Sequence, residues 1–155
     1  MSNSYEQVDI LLAEDSDADA EMTMRALRKH HIGNAIHRVR DGQEAIDFLT
    51  CTGQYASCTP AIALKLLLLD LKMPKLDGIE VLRRVRADEK LHKLPVVIMT
   101  SSNEERDVTQ SYLLGVNSYV VKPIDFVQFA KTVADVGLYW LVTNRVPSEP
   151  GREPA

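Results

Sequence analysis

The stretch Leu66-Leu67-Leu68-Leu69-Asp70-Leu71-Lys72-Met73-Pro74 decides the fold of this chain. Consecutive leucines are typical of a strand that is buried on both faces of a parallel sheet. Asp70 follows them directly, which places its carboxylate where a buried strand meets solvent. Other apolar segments end on polar residues in the same way: Ile10-Leu11-Leu12-Ala13 before Glu14 and Asp15, Val96-Val97-Ile98-Met99 before Thr100, and Tyr119-Val120-Val121 before Lys122.

Strand-like and helix-like patterns alternate along the chain. Five strands are predicted: residues 8–13, residues 35–39, a run that ends at residue 70, a run that begins at residue 95, and residues 118–121. Five helices are predicted: about residues 17–31, a helix that begins at residue 42, residues 78–88, residues 103–114, and a helix that begins at residue 125. Five strands suit the flavodoxin-like order 2-1-3-4-5 better than a six-stranded dinucleotide-binding sheet. We therefore expect an α/β fold: a doubly wound five-stranded parallel sheet in that order, with five helices.

The bulk composition predicts one soluble domain. The chain has 155 residues, of which 45% are apolar and 26% charged, and this is ordinary for a globular protein. A net charge of −4 argues against a nucleic-acid partner. The sequence shows no apolar run that would span a membrane and no signal peptide, so a cytoplasmic location is expected. Cys51 and Cys58 are expected to be unpaired thiols, and the scattered histidines ordinary surface residues.

The predicted order brings the carboxyl ends of strands 1, 3 and 4 together. Mg²⁺ prefers oxygen ligands, so Asp15 and Asp70 are the best candidate ligands, with Glu14 acting directly or through a water. The backbone carbonyl of Lys72 is a further candidate, and Lys122 could supply a counter-charge for the clustered acids. A simpler alternative treats Glu14 and Asp15 as solvated acids at a helix start.

The same residues suit phosphoryl transfer onto a carboxylate. An aspartate can act as a nucleophile and form an aspartyl-phosphate, and Asp70 is the candidate. Lys122 and the Thr100 hydroxyl could each bind a phosphoryl oxygen, although Thr100 could instead cap the following helix or be an ordinary strand-end residue. Tyr119 could change rotamer with the state of Thr100, or remain a static, half-buried side chain.

These segments, in this order, resemble the receiver domain of bacterial two-component response regulators. The motifs that carry the resemblance are Leu12-Ala13-Glu14-Asp15, Leu69-Asp70-Leu71-Lys72-Met73-Pro74 with Asp77-Gly78, Pro95-Val96-Val97-Ile98-Met99-Thr100, and Gly115-Val116-Asn117-Ser118-Tyr119-Val120-Val121-Lys122-Pro123. The resemblance covers about residues 8–140. Lys72 stands where the family often has Asn or a small polar residue, which leaves the lifetime of the phosphate open.

The resemblance implies phosphotransfer from a sensor histidine kinase to Asp70, dependent on Mg²⁺ (or Mn²⁺), without turnover of a metabolite. It also implies a switch through Thr100 and Tyr119 that remodels the surface of helix 4, strand 5 and helix 5. The longer loop before strand 3 and the extended last helix are similar to regulators paired with bacterial phytochrome kinases. The expected domains are a receiver at residues 1–146 and a Pro-rich tail at 147–155, with no output domain.

The predicted fifth helix is apolar on two faces, which predicts contacts on two sides. We expect a symmetric homodimer through this helix and the chain beyond it. The alternative is that the second apolar line packs on the tail of the same chain. The predicted interface residues are Val127, Ala134, Leu138, Tyr139, Trp140 and Leu141.

Other functional classes fit less well. A phosphatase of the haloacid-dehalogenase type also uses a strand-end Asp and Mg²⁺, but it requires a second Asp two positions later, where this chain has Lys72. A flavodoxin-like cofactor binder needs a phosphate-cradling loop after strand 1, and the acids of Glu14-Asp15-Ser16-Asp17 would repel a phosphate. No G-x-G-x-x-G motif follows a strand.

Overall fold

A computed structural model describes residues 8–29, 35–56, 64–101, 103–122, 127–128 and 131. One sheet of five parallel strands runs through this part of the chain in the order β2-β1-β3-β4-β5, which confirms the predicted fold class and topology. The strands are β1 Ile10–Ala13, β2 Ile36–Val39, β3 Leu66–Leu69, β4 Val96–Thr100 and β5 Ser118–Val121.

Four α-helices within the described residues connect these strands: α1 Asp17–Lys29, α2 Gly42–Thr50, α3 Gly78–Ala87 and α4 Glu105–Leu113. A short 3₁₀ helix, Gly53–Tyr55, follows α2. Asp41 and Asp77 cap α2 and α3, because their side chains accept hydrogen bonds from the backbone N–H groups of Glu44 and Glu80. Of the predicted fifth helix the structure describes residues 127, 128 and 131, which are helical.

The core lies on both faces of the sheet, which explains the run of leucines. Leu67 and Leu69 pack into one apolar cluster with residues of α2 and α3, and Leu66 and Leu68 pack into the other with residues of α1. All four side chains are fully buried. The β3 strand is therefore central, and Asp70 is held at its carboxyl end.

Arg86 on α3 ties two distant loops together. Its guanidinium donates hydrogen bonds to the carbonyl oxygens of Leu114 (2.7 Å), Gly115 (2.8 Å), Leu94 (2.7 Å) and His92 (3.0 Å). Burial lowers the pKa of this guanidinium from its ordinary value. The side chain thus joins the segment before β4 to the turn between α4 and β5.

Replacing Arg86 by leucine is expected to lower the free energy of unfolding by about 2–4 kcal/mol, because several carbonyls lose a charged donor. Urea denaturation measures the change. Arg84→Leu is the matched control, since Arg84 lies on the same helix, is 48% exposed and pairs with Glu80. Equal losses in the two variants would contradict a structural role for the Arg86 hydrogen bonds.

His37 is not a surface histidine, contrary to the expectation from sequence. It is half-buried on β2 and stacks on Phe48 with the ring centroids 4.8 Å apart. Its Nε2 lies 2.8 Å from the hydroxyl of Tyr55, which in turn donates to Glu44. Burial lowers the pKa of His37, an effect that the charge of Glu44 partly opposes.

Folding stability is therefore expected to depend on His37 in mildly acidic solution. The folded protein favours the neutral ring, so this contribution is fully present above the ordinary pKa of 6.5 and is lost as the pH falls towards the lower pKa of the folded state. Urea denaturation between pH 7.5 and 5 should show a smaller pH dependence for His37→Gln than for the native chain. His92→Gln, a change at an exposed histidine, should leave the dependence as it is; an unchanged dependence in His37→Gln would contradict the assignment.

Candidate functional site

Carboxylates from two strand ends converge at one edge of the sheet. Glu14 and Asp15 follow β1, and Asp70 follows β3. One oxygen from each of the three carboxylates lies within 4.8 Å of the other two. Glu14 is fully buried and Asp70 is 4% exposed, whereas Asp15 is open to solvent. The structure thus brings together the three acidic side chains that the sequence singled out.

Lys122, at the end of β5, supplies the cation for this cluster. Its Nζ donates to Glu14 Oε1 (2.5 Å), Asp19 Oδ2 (2.9 Å) and Asp70 Oδ2 (3.1 Å). Asp19 was not identified from the sequence as a member of this cluster. The signal that could have found it is its position, because the first turn of the helix after β1 begins at the carboxyl edge of the sheet, where the strand ends meet.

The charges of Glu14 and Lys122 depend on one another. Burial raises the pKa of Glu14 to about 7; the hydrogen bond from Lys122 opposes this increase and the neighbouring Asp70 reinforces it. Burial by itself would lower the pKa of Lys122, but its hydrogen bonds to Glu14 and Asp19 and the charge of Asp70 outweigh burial and raise it. Lys122 is therefore a fixed positive charge among the acids.

Backbone groups hold the Asp70 carboxylate in place. The N–H of Lys72 donates to Asp70 Oδ1 at 3.1 Å, which leaves Oδ2 to Lys122. Helix α3 starts close against this loop: a Cβ added at Gly78 would lie 2.4 Å from the carbonyl oxygen of Asp70. A glycine is required there because only a residue without a side chain allows this approach.

Arg38, on the neighbouring strand β2, holds the backbone of Glu14 in place. Its guanidinium donates two hydrogen bonds to the Glu14 carbonyl oxygen, at 2.9 and 2.7 Å, and a third to Asp17. Hydrogen bonds from Arg38 and Arg40 lower the pKa of Asp17. The sequence carried no signal for this role, since an arginine on an edge strand usually faces solvent.

The candidate switch residues lie at the carboxyl ends of β4 and within β5. Thr100 is the last residue of β4 and is fully buried. The alternative that Thr100 caps a helix is wrong, because α4 begins at Glu105 with Glu104 as its N-cap. Tyr119 is half-buried and packs against the larger apolar cluster. The role of these two residues as a switch stays a prediction.

A cleft of about 400 Å³ opens beside the acidic cluster. It lies between the loop that follows β3 and the start of α4. Lys72 lines this cleft, and its ammonium lies 3.9 Å from Asp107 Oδ2. The lining residues are Asp15, Leu71, Lys72, Met73, Pro74, Asp77, Ile79 and Asp107.

Several predicted residues lie outside the described part of the chain: Ala134, Leu138, Tyr139, Trp140 and Leu141 of the interface, Cys58, and the tail at 147–155. Val127 is described and is 76% exposed. Cys51, half-buried, takes the left-handed conformation at the end of α2. Among the described helices, none has the length and apolar character needed to cross a bilayer.

Parallel topology and the strand-end cluster define a class of protein. The family model described as "Response regulator receiver domain" matches residues 10–134. The chain therefore belongs to the response regulator receiver family.

Two relatives of known sequence are similar to this chain over most of its length. The probable methanogenesis regulatory protein FilR2 of Methanothrix harundinacea is 38% identical over 138 residues, which are 89% of this chain and 86% of FilR2. The response regulator Rcp1 of Synechocystis is 37% identical over 139 residues, which are 90% of this chain and 92% of Rcp1.

Solved structures of phytochrome response regulators share the fold. The bacteriophytochrome response regulator RtBRR is 46% identical, with a TM-score of 0.74, and the match covers 91% of this chain and 84% of RtBRR. The phosphorylated cyanobacterial phytochrome response regulator RcpA is 37% identical, with a TM-score of 0.76, over 92% of this chain and 99% of RcpA. The Mn²⁺-bound form of Rcp1 is 37% identical, with a TM-score of 0.75, over 91% of this chain and 99% of that structure.

Proposed function

We propose that this chain is a phospho-accepting response regulator and that Asp70 takes a phosphoryl group from the phosphohistidine of a sensor histidine kinase. The observation that carries the proposal is the setting of the Asp70 carboxylate. The carboxylate lies at the end of a buried strand, with Glu14 and Asp15 beside it. One of its oxygens accepts a hydrogen bond from a backbone N–H, and the other accepts a hydrogen bond from Lys122.

In the proposed reaction an oxygen of Asp70 attacks phosphorus, the phosphorus–nitrogen bond breaks, and the imidazole leaves with the electron pair of that bond. Phosphoryl transfer depends mainly on positioning and on neutralising charge. The Lys72 N–H and Gly78 fix the position of Asp70, and Arg38 fixes Glu14. Lys122 lies within reach of the phosphoryl oxygens, and Thr100 would donate its hydroxyl to one of them.

The donor set fits a divalent cation. Glu14, Asp15 and Asp70 offer hard oxygen ligands within 4.8 Å of one another, and the backbone carbonyl of Lys72 is proposed as a further ligand. These residues would hold Mg²⁺ or Mn²⁺, and the Mn²⁺-bound form of the relative Rcp1 supports this assignment. Bound there, the cation would neutralise charge on the phosphoryl oxygens.

A phosphatase of the haloacid-dehalogenase type is less well supported. The relatives are response regulators, which are signalling proteins rather than metabolic enzymes. The position that such a phosphatase needs for its second Asp is Lys72. Autodephosphorylation remains part of the proposed cycle, since water can attack an aspartyl-phosphate, and Lys72 leaves its rate open.

The proposed signal passes from Asp70 through Thr100 and Tyr119 to the surface of α4, β5 and the following helix. This would be a local change of charge that biases a two-state element. RcpA and RtBRR, by their names, belong to phytochrome pathways. Their similarity supports a phytochrome histidine kinase as the partner of this chain, and hence light as the stimulus.

A homodimer through the predicted fifth helix is also proposed, because the sequence makes this helix apolar on two faces. Val127 exposes 76% of its surface, as expected for an apolar interface residue in a single copy of the chain. Sedimentation velocity over a concentration series is expected to show a dimer that Val127→Asp weakens. Met22→Asp, a change at another exposed apolar residue on α1, serves as the control. Only monomer at every concentration would contradict the proposal.

The central test is intact-protein mass after incubation with acetyl phosphate and Mg²⁺. A gain of one phosphoryl group is expected, and EDTA should prevent it. If no gain is seen, binding of beryllofluoride separates rapid hydrolysis from failure to react. A chain that neither gains mass nor binds beryllofluoride would not be a phospho-acceptor.

A further inference from the structure

Lys72 and Asp107 face each other across the cleft beside Asp70. The ammonium of Lys72 lies 3.9 Å from Asp107 Oδ2, and the two side chains are 59% and 11% exposed. Asp107 belongs to the first turn of α4, where the helix dipole favours a carboxylate. The pair therefore links α4 to the loop that follows β3.

Lys72 is also coupled to the phospho-acceptor. Its backbone N–H donates to Asp70 Oδ1 at 3.1 Å, so its long side chain starts directly beside the reacting carboxylate. Asp15 and Lys72 both line the cleft. The exposed Lys72 side chain has several rotatable bonds, so its ammonium can move along the cleft without disturbing the backbone.

The pair at this distance is weak enough to be exchanged. The two charged atoms are 3.9 Å apart and the lysine side of the pair is 59% exposed, so solvent screens the attraction and it contributes little. A phosphoryl group on Asp70 brings nearly two negative charges at neutral pH, against the single charge of Asp107. The stronger charge is the one expected to hold a mobile ammonium that can reach both.

We propose that Asp107 and the phosphoryl group on Asp70 compete for the ammonium of Lys72. In the unphosphorylated chain Asp107 holds it, and phosphorylation draws it away. The nearly buried carboxylate of Asp107 then loses this counter-charge, which favours a rearrangement of the first turn of α4. This inference rests on the proposed function and adds a second connection between the site and α4, separate from Thr100 and Tyr119.

The reciprocal effect makes the competition measurable. If phosphorylation weakens the ion pair, the ion pair must weaken binding of a phosphoryl analogue by the same factor. Asp107→Asn keeps the size of the side chain and releases Lys72, so beryllofluoride with Mg²⁺ should bind more tightly. Lys72→Met removes the ammonium, so the analogue should bind more weakly.

A double-mutant cycle is the decisive experiment. Beryllofluoride affinity is measured by calorimetry in Mg²⁺ for the native chain, Lys72→Met, Asp107→Asn and the double variant. Each single change is expected to shift the affinity by about two- to five-fold, in opposite directions. In the Lys72→Met background, Asp107→Asn should have no further effect. Any effect of Asp107 that does not involve Lys72 would appear equally in both backgrounds.

Lys75→Met is the matched control, because Lys75 lies in the same loop, is similarly exposed and pairs with Asp41. It should leave the affinity close to that of the native chain. An equal effect of Asp107→Asn with and without Lys72 would overturn the inference, while phosphorylation of Asp70 by acetyl phosphate would still support the proposed function. Failure of the native chain to bind the analogue would overturn both.

Discussion

Replacing Asp70 by asparagine is expected to abolish the gain of a phosphoryl group from acetyl phosphate and Mg²⁺. The amide has nearly the same shape as the carboxylate, but it is a poor nucleophile at neutral pH and lacks the charge that a cation needs. The variant is expected to fold, because it removes one of three clustered acids and their repulsion. Intact mass and urea denaturation together measure both effects.

Asp77→Asn is the matched control for this result. Asp77 lines the same cleft and caps α3, and asparagine caps a helix as well as aspartate does. This variant should still gain one phosphoryl group. Loss of phosphorylation in both variants would show that a general change at this edge of the sheet is responsible. A mass gain in Asp70→Asn would place the phosphate on another residue.

Replacing Lys122 by methionine is expected to lower the free energy of unfolding in EDTA by about 2–4 kcal/mol, since removing one partner leaves buried charges unpaired. Glu14 is fully buried and Asp70 nearly so, and the ammonium of Lys122 hydrogen-bonds both. Saturating Mg²⁺ should restore part of the loss, because a ligand that binds only the folded chain stabilises it.

Urea denaturation of Lys122→Met, with EDTA and with Mg²⁺, measures both effects. Lys75→Met is again the control, since this lysine is 69% exposed, and it should change stability by no more than about 0.5 kcal/mol. A Lys122→Met chain as stable as the native one in EDTA would show that the acids are not held by this cation. The same loss with and without Mg²⁺ would argue against a metal site at Glu14, Asp15 and Asp70.

Asp70, Glu14, Asp15 and Lys122 were predictable because the evidence for them is local. A buried strand is recognised by its own apolar run, and the residue that ends it is read directly from the sequence. The parallel order then brings the strand ends to one edge, whatever the details of packing. Asp41 and Asp77 were not predicted as helix caps, although an aspartate directly before a helix is an equally local signal.

Some boundaries and environments could not be read in this way. Helix α4 begins at Glu105 rather than near residue 103, because Glu104 keeps an extended backbone. His37 looked like a scattered surface residue, but the ring of Phe48 from α2 and the hydroxyl of Tyr55 enclose it. The environment of His37 depends on how a helix and a loop pack on an edge strand. No local sequence pattern predicts this packing.

By itself, then, the sequence determined the strand order, the class of protein and the acids that meet at the strand ends. Only the tertiary structure decided which side chains surround these acids and line the cleft beside them. Lys122 donates to Asp19, Arg38 donates to the carbonyl of Glu14, and Lys72 pairs with Asp107. Partners in the first two pairs are 103 and 24 residues apart. Whether long, flexible side chains meet depends on distances of a few ångströms between packed elements, and these distances exist only after the chain has folded.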